Sequence, residues 1–545
     1  MTSSKHSTVA IIGAGAHGLV ALKDLLEEGF EATAFDRNSS PGGIWSTSYE
    51  SAVSSLPTTV VNVSRERACF TDFPFPAGTA SYPSSQEVGQ YLLSYCTHFE
   101  LWPHLRLQTT ISGVRRNDGA QKWLLNVTTK DGSTEVMTFD KLVVASGPQN
   151  VAIMPVIPGN DIFNGEIIHS IAFKDPARYA GKTVVVLGIG NSAVDTATTL
   201  IGHAKKIYLA HRHGAILLPR HLNNGTSLDH GASYRTFAIR DFLETTFPSL
   251  ALKFLASWVA TIQKKHYDLR PEWRINTPTP SLSKQNPTVS DYIYGALQSG
   301  DVTSVHGIKR YIGPQSPELE DGTVLEDVDA VIYCTGYRLD LSWLGKLDPT
   351  NLEPNNPHST NYDYTAPRLY QNILSHEHPD NLAFVGLALV FFAAFPVADL
   401  TSMALAQLWS KPSLLPSHAD MQKQYTTHRA WRAGINSLPN PAGKGPATLQ
   451  LETGQFMAWG QELIGTRVDE MLSYGSWEAW LFWWREKGLS RMLYDGVYSP
   501  HVWRLFDSAG RRKRWVGARE AIERVNEEVR KRRVDAASAR AEGGV

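Results

Sequence analysis

The segment Gly13-Ala14-Gly15-Ala16-His17-Gly18 holds three glycines at GxGxxG spacing. The first permits a tight turn, the second lets the backbone approach a pyrophosphate, and the third lets helix and strand pack closely. The phosphates then sit at a helix N-terminus. Asp36 ends the next apolar run, where an acid can accept a ribose hydroxyl pair. A second copy reads Gly188-Ile189-Gly190-Asn191-Ser192-Ala193, with alanine at the third position, which the pattern allows. The strand after it leads into Ala210-His211-Arg212-His213-Gly214, with no acid. A guanidinium is planar, permanently charged and able to bind bidentate, so Arg212 suits a 2′-phosphate. The second site is therefore expected to prefer NADPH over NADH, with His211 and His213 flanking the phosphate without catalysing. On these residues alone the blander readings stay open: a glycine turn without nucleotide, Asp36 as a strand-end cap, Arg212 as a surface cation.

Both turns need a strand before them and a helix after. Residues 8–12 form a short β-branched run, 17–28 follow a helical pattern, and 30–36 read as a second strand. The order repeats with a strand at 183–187, a helix at 192–201 and a strand at 206–210. Two copies of this unit predict an α/β chain with two Rossmann-like dinucleotide-binding domains and a helical C-terminal extension. Further strands are expected at 123–129 and 141–145, and a helical insert around 237–262. The apolar run 383–398 is too short to span a bilayer and contains Pro396, so it is expected as buried core. Trp477, Trp480, Trp483 and Trp484 are expected to pack inward. Residues 511–533 read as a solvated amphipathic helix, with a patch for anionic lipid as the weaker reading.

The 545 residues carry a net charge of -1, with 42% hydrophobic and 19% charged residues. That is an ordinary globular composition and gives no reason to expect nucleic acid as a partner. Cys69, Cys96 and Cys334 include no CxxC pair, which argues against a disulfide framework, a zinc site or a dithiol reductase. The polar N-terminus lacks the features of a secretory signal, so a cytoplasmic location is expected.

One further constellation runs from Phe163 through Gly165 and His169 to Phe173, in the form FxGxxxHxxxF. This resembles the fingerprint of the flavin-containing monooxygenases. In the same order, Pro41-Gly42-Gly43-Ile44-Trp45 resembles the family's GGxW segment beside the flavin. Val60-Val61-Asn62 with Asp72-Phe73-Pro74-Phe75-Pro76 is similar to its Asn-bearing stretch. Pro287–Asp291 resembles a piece of its nucleotide domain, residues 329–337 its return strand, and Phe395–Asp399 its FPxxE piece. The resemblance covers residues 8 to about 410. It implies FAD in the first fold, NADPH in the second, and O2 plus a small molecule as substrates. The implied domains are 1–172, 173–335 with an insert at about 221–286, and 336–545, which returns to the FAD fold and adds the extension. It implies a C4a-hydroperoxyflavin that oxygenates a nucleophilic N or S atom, with Asn62 donating beside it. Gly43, Ile44 and Trp45 would touch FAD, and Asn191 and Ser192 the nicotinamide nucleotide. His169 would be structural, at the domain link, and Cys334 inert. Asp399 replaces the family's Glu, as Asp36 does in the first fold. Phe173-Lys174-Asp175 departs from the tryptophan of Baeyer–Villiger relatives, which favours the heteroatom-oxidising branch. Ketone oxygenation, an inactive nucleotide-binding homologue and a reductase remain as alternatives. The charged residues 511–545 lack the apolar anchor of membrane-bound relatives, so a form without a transmembrane segment is expected. The long insert and extension point to a specialised metabolite as substrate.

Overall fold

The β-branched run Thr8–Ile12 is buried almost throughout and forms the middle of a parallel sheet. The computed structural model describes residues 7–46, 54–148, 150–276, 286–350, 367–437, 449–473, 475–507 and 514–543. Among them, a seven-stranded sheet runs in the order Leu369–Tyr370, Leu374–Ser375, Leu382–Phe384, Lys141–Val144, Thr8–Ile12, Glu31–Phe35, Leu105–Arg106. The sheet therefore takes strands from both sides of the second nucleotide unit. Helix Ala16–Glu27 covers one face and packs against helix Ala394–Ser410. The latter is buried from Phe395 to Trp409, because its apolar residues surround the axis. The expected apolar run 383–398 is core at its two ends, in strand Leu382–Phe384 and the start of this helix, whereas Leu389 and Phe391 in the loop between them are 46% and 42% exposed. On the other face lie three antiparallel strands, Thr109–Asn117, Lys122–Thr129 and Thr134–Phe139.

The second sheet is parallel throughout, in the order Thr303–His306, Lys206–His211, Thr183–Leu187, Ala330–Tyr333, Glu166–His169. Helix Asn191–Thr199 follows its glycine turn. Glu166–His169 pairs with Ala330–Tyr333, so this sheet begins at residue 166 and not after the expected boundary at 172. The chain crosses over at Gly165, where a Cβ would lie 2.5 Å from the Phe163 ring and 2.8 Å from the Asp329 carbonyl oxygen.

The insert is helical as expected, but it consists of two helices, Tyr234–Thr246 and Pro248–His266. Ser233 caps the first with a reciprocal capping box, and Phe247 breaks the pair just before a proline that can only start a helix. The extension contains helices His418–Ser437, Thr453–Ile464, Trp477–Arg485, Lys487–Asp495 and Ala518–Gly543. The four tryptophans do not pack inward: Trp477, Trp480, Trp483 and Trp484 are 71%, 55%, 44% and 68% exposed. Ala479 and Phe482 hold the inner face of that helix instead, which turns the tryptophans outward. Helix Ala518–Gly543 is amphipathic but docked, with Ala518, Ala521, Ile522, Val525 and Val529 buried. Residues 511–513 of that expected helix lie outside the described residues. No helix among the described residues is long and apolar enough to cross a membrane.

Candidate active site

Gly13 takes φ 110°, and a Cβ there would lie 2.5 Å from the Ala145 carbonyl oxygen. That left-handed conformation and close approach admit only glycine. At Gly18 a Cβ would meet the Gly13 carbonyl oxygen, so helix and turn are pressed together. The Gly42 N–H donates to the Ala14 carbonyl at 2.8 Å, which lays the Pro41–Trp45 segment along the first turn. A Cβ on Gly43 would lie 3.0 Å from the Gly15 Cα. The Asp36 carboxylate is fixed by the N–H groups of Ala14 and Asn38, both at 2.8 Å. It braces the turn, and its carboxylate oxygens have further lone pairs to accept hydrogen bonds. This backbone cradle, with an acid at its far edge, fits the ADP half of FAD.

Gly188 takes φ 135°, and a Cβ there would lie 2.6 Å from the Cys334 carbonyl oxygen. A Cβ on Gly190 would meet nothing within 4 Å, so this turn opens into free space of the kind a pyrophosphate needs. The Pro287–Asp291 segment braces it. The Val289 N–H donates to the Asn191 side-chain oxygen and the Thr288 hydroxyl to the Ile189 carbonyl, both at 2.9 Å. Arg212 is exposed just beyond strand Lys206–His211. Arg274 donates to the carbonyls of His211 and Arg212 at 3.4 and 3.5 Å, placing a second cation at the same edge. His211 does not flank that surface as expected. It is buried between the His213 carbonyl and the Ser304 hydroxyl, both at 2.8 Å. Burial lowers its pKa to about 4, so it stays neutral.

A cavity of about 350 Å³ is lined by residues of both units. Ile44 and Trp45 reach it from the first unit, and Asn191, Ser192 and Asp195 from the second. Asn62, Val61, Val63, Phe75 and Phe395 complete a largely apolar wall. The Asn62 side-chain oxygen accepts from Arg220 at 2.9 Å. Arg220 also donates to the carbonyls of Val60 and Val61 at 2.8 and 2.9 Å, and its own N–H is held by Asp291 at 2.8 Å. Since a guanidinium only donates, the oxygen of Asn62 must face it. The NH2 of Asn62 is the group left to donate. Asp195 accepts from the Thr59 hydroxyl at 3.1 Å, and burial pushes its carboxyl up to about 6.

His169 is held between the Gly336 carbonyl at 3.0 Å and the Ile171 N–H at 3.2 Å, tying the second sheet to the chain's return. Burial lowers its pKa, and it does not line the cavity, in keeping with the structural role expected. Burial pushes the Cys334 thiol up to about 12, which leaves it unreactive. No group of His, Cys, Asp or Glu among the described residues could hold a metal ion. Sequence reasoning missed Arg220, Arg274 and Asp195. Asp195 stands one helical turn past the second glycine motif and was within reach of helical spacing; the two arginines belong to no motif.

A family model described as Flavin-binding monooxygenase-like matches residues 6–542. The chain is 39% identical over 528 residues to "Monooxygenase aurF" of Gibberella zeae, covering 95% of this chain and 97% of that one. It is 29% identical over 527 residues to human "Flavin-containing monooxygenase 3", covering 94% and 91%. The fold is similar to that of S-allyl-L-cysteine S-oxygenase from Allium sativum, at TM-score 0.60, 20% identity and coverage of 97% and 99%. It is also similar to that of cyclohexanone monooxygenase from Rhodococcus sp. Phi1 bound to NADP+, at TM-score 0.61, 19% identity and coverage of 85% and 98%.

Proposed function

This chain belongs to the flavin-binding monooxygenase-like family, and we propose that it uses NADPH and O2 to oxygenate a nucleophilic nitrogen or sulfur atom of a small molecule. It is a flavin-dependent monooxygenase, and FAD, when bound, supplies the activation of oxygen. The observation that carries the finer reading is the cavity lined by Ile44 and Trp45 of the first unit and Asn191 and Ser192 of the second, with Asn62 in its wall. One oxygen atom goes to the substrate lone pair and the other leaves as water. NADPH supplies two electrons as a hydride, and solvent supplies the balancing proton.

The residues have distinct tasks in this reading. The backbone N–H groups of the two glycine turns hold the pyrophosphates. Arg212, with Arg274 beside it, receives the 2′-phosphate and so selects NADPH. Val61, Val63, Phe75 and Phe395 keep water from the reacting centre. The Asn62 NH2, aimed by Arg220, donates a preorganised hydrogen bond there. No acid or base from the protein is needed for a lone pair to attack oxygen.

One observation favours nitrogen or sulfur over a ketone. Phe173 is buried against Tyr179 at the fingerprint position where Baeyer–Villiger relatives carry tryptophan. The helical insert and extension suit a specialised metabolite as the substrate.

The test is to reduce the yellow protein anaerobically with NADPH, mix it with O2 and follow the flavin spectrum. A lasting species distinct from oxidised and reduced flavin, consumed faster by thioethers or amines than by ketones, is the expected result. Faster consumption by ketones would overturn the heteroatom reading. Failure of NADPH to reduce the flavin would overturn the second nucleotide site.

A further inference from the structure

Val529, Arg532 and Arg533 of helix Ala518–Gly543 stand three and four residues apart, and so share one face. Together with residues 78–81 and 221–227, that face lines a second cavity, of about 320 Å³. Neither glycine turn nor Arg212 lines it, so it is separate from both nucleotide turns. Gly225 takes φ 71°, and a Cβ there would lie 3.2 Å from the Ala536 Cβ, so loop and helix meet at close quarters. The 221–227 loop springs from Arg220, whose carbonyl accepts from the Leu228 N–H at 2.8 Å. The cavity therefore lies against the hairpin whose Arg220 guanidinium aims Asn62.

No carboxylate lines this cavity. Arg532 is already matched by Glu66 at 2.8 Å, which also takes His230 at 3.1 Å, and it donates to the Ser81 hydroxyl. Arg533 differs. It donates to the His230 carbonyl at 3.1 Å and pairs with no carboxylate among the described residues. A guanidinium carries five N–H groups in a planar fork, so most of its donors remain for a ligand. In another wall the N–H groups of Gly78, Ala80 and Ser81 have no acceptor among the described residues. A lining rich in donors and without acids calls for an anion. Donors on two walls meet the outward oxygens of a tetrahedral phosphoryl group better than the planar pair of a carboxylate. The volume is at the low end of small-molecule sites, which run from about 300 Å³ upward, and exceeds the need of a bare ion. The remainder of the ligand meets hydroxyls. Those of Thr79 and Thr226 donate to the Pro76 carbonyl and the Asn224 side-chain oxygen at 2.9 and 2.6 Å, which leaves their lone pairs to accept from hydroxyl groups of a ligand.

We infer that this cavity binds a small phosphate monoester of the sugar-phosphate class, and that its occupancy fastens helix Ala518–Gly543 to the Arg220 hairpin. The test uses the FAD-loaded full chain saturated with NADP+, so that the Arg212 edge is filled. Glucose 6-phosphate, inorganic phosphate and succinate are titrated by calorimetry at one ionic strength, which keeps screening equal among them. The expected result is saturable binding of glucose 6-phosphate, tighter than that of either other anion. Hydrogen exchange at residues 221–228 and 518–536 should slow when it binds, because a ligand that joins two elements suppresses their local opening. Arg533→Gln should weaken binding by about tenfold or more while keeping its flavin and its rate of NADPH-driven flavin reduction. Should that variant fail to fold, Arg533→Lys, which keeps the charge without the fork, takes its place, with a smaller loss expected. Wild-type protein that binds none of the three would overturn the inference, as would an unchanged affinity in the variants. Succinate binding as tightly as glucose 6-phosphate would overturn the phosphate assignment, and inorganic phosphate doing so would reduce the site to one for the bare ion. Binding that leaves exchange at both segments unchanged would place the ligand elsewhere and overturn it too.

Discussion

Arg220 holds three acceptors at once, the carbonyls of Val60 and Val61 and the Asn62 side-chain oxygen. Lysine keeps the charge but lacks the planar fork, so Arg220→Lys cannot keep all three. The Asn62 amide is then free to turn. NADPH consumption should continue while oxygenated product falls about tenfold, equivalent to about 1.4 kcal/mol of lost orientation, with the deficit released as hydrogen peroxide. An unchanged ratio of product to NADPH would show that Asn62 needs no such hold. Asp195 makes a different prediction. Its carboxyl is raised from 3.8 to about 6 by burial, so the folded protein binds that proton more tightly than the unfolded chain. The resulting penalty is absent below about pH 4 and complete above about pH 6, where it reaches about 3 kcal/mol. Asp195→Asn should therefore stabilise the cofactor-free protein at pH 8 and leave it unchanged at pH 4, as read by thermal melting at both values. Equal effects at both pH values would contradict the burial argument. At this scale the sequence is legible only where a motif fixes spacing. Asn62 lies in a recognisable stretch, whereas Arg220 is 158 residues away and meets it only through the fold. His211 misled for the same reason: its place beside Arg212 gave no sign that it turns into the sheet towards Ser304.

The two glycine turns are alike in sequence, but their glycines answer to different constraints. Gly13→Ala and Gly188→Ala both force a side chain into a left-handed backbone and onto a carbonyl oxygen, that of Ala145 or Cys334. Gly13→Ala should yield protein without yellow colour. Gly188→Ala should keep the flavin and lose reduction by NADPH. Gly190→Ala has open space around its Cβ, so the fold should be unaffected while the methyl group stands where the pyrophosphate must approach. An increase of about tenfold in the NADPH concentration needed for half-maximal reduction, with an unchanged melting temperature, is expected. A lower melting temperature with unchanged NADPH binding would mean that the glycine serves the fold alone. The strand–turn–helix units themselves were readable because each couples a β-branched run to glycine punctuation and a helical period. The first strand of the second sheet was not, since Glu166–His169 is only four residues long and its partner Ala330–Tyr333 lies far along the chain. The outward tryptophans show a further limit. Helical spacing tells which residues share a face of Trp477–Arg485, but only its neighbours decide that Ala479 and Phe482 face inward.

At the scale of the molecule, the extension buttresses the stretch that carries Asn62 and Phe75 of the cavity wall. Asp72 lies in the same stretch as Asn62 and Phe75, and its carboxylate accepts from Lys23 at 3.0 Å and Arg504 at 2.7 Å. Asp24 and Asp399 complete the buried cluster, at 2.8 and 3.9 Å from Lys23. Burial works against charge on Lys23 and Arg504, but the surrounding carboxylates hold both pKa values above their ordinary range. Helix Ala518–Gly543 closes a second contact nearby. Arg532 reaches Glu66 at 2.8 Å, which also takes His230 of the insert at 3.1 Å, and Arg65 pairs with Glu528. Three distant parts of the chain thus meet behind the Asn62 stretch. Removing one member of a buried ionic cluster leaves the others undercompensated, at a cost of about 3 kcal/mol. Arg504→Met preserves most of the side-chain volume, so the loss is chiefly of charge. The variant should melt at a lower temperature, and flavin release, followed by the rise in free FAD fluorescence, should move down in step with unfolding. Flavin retained to the wild-type temperature would mean that the extension is an appendage. Coincident loss would mean that residues near the C-terminal end hold the stretch bearing Asn62 against the flavin unit.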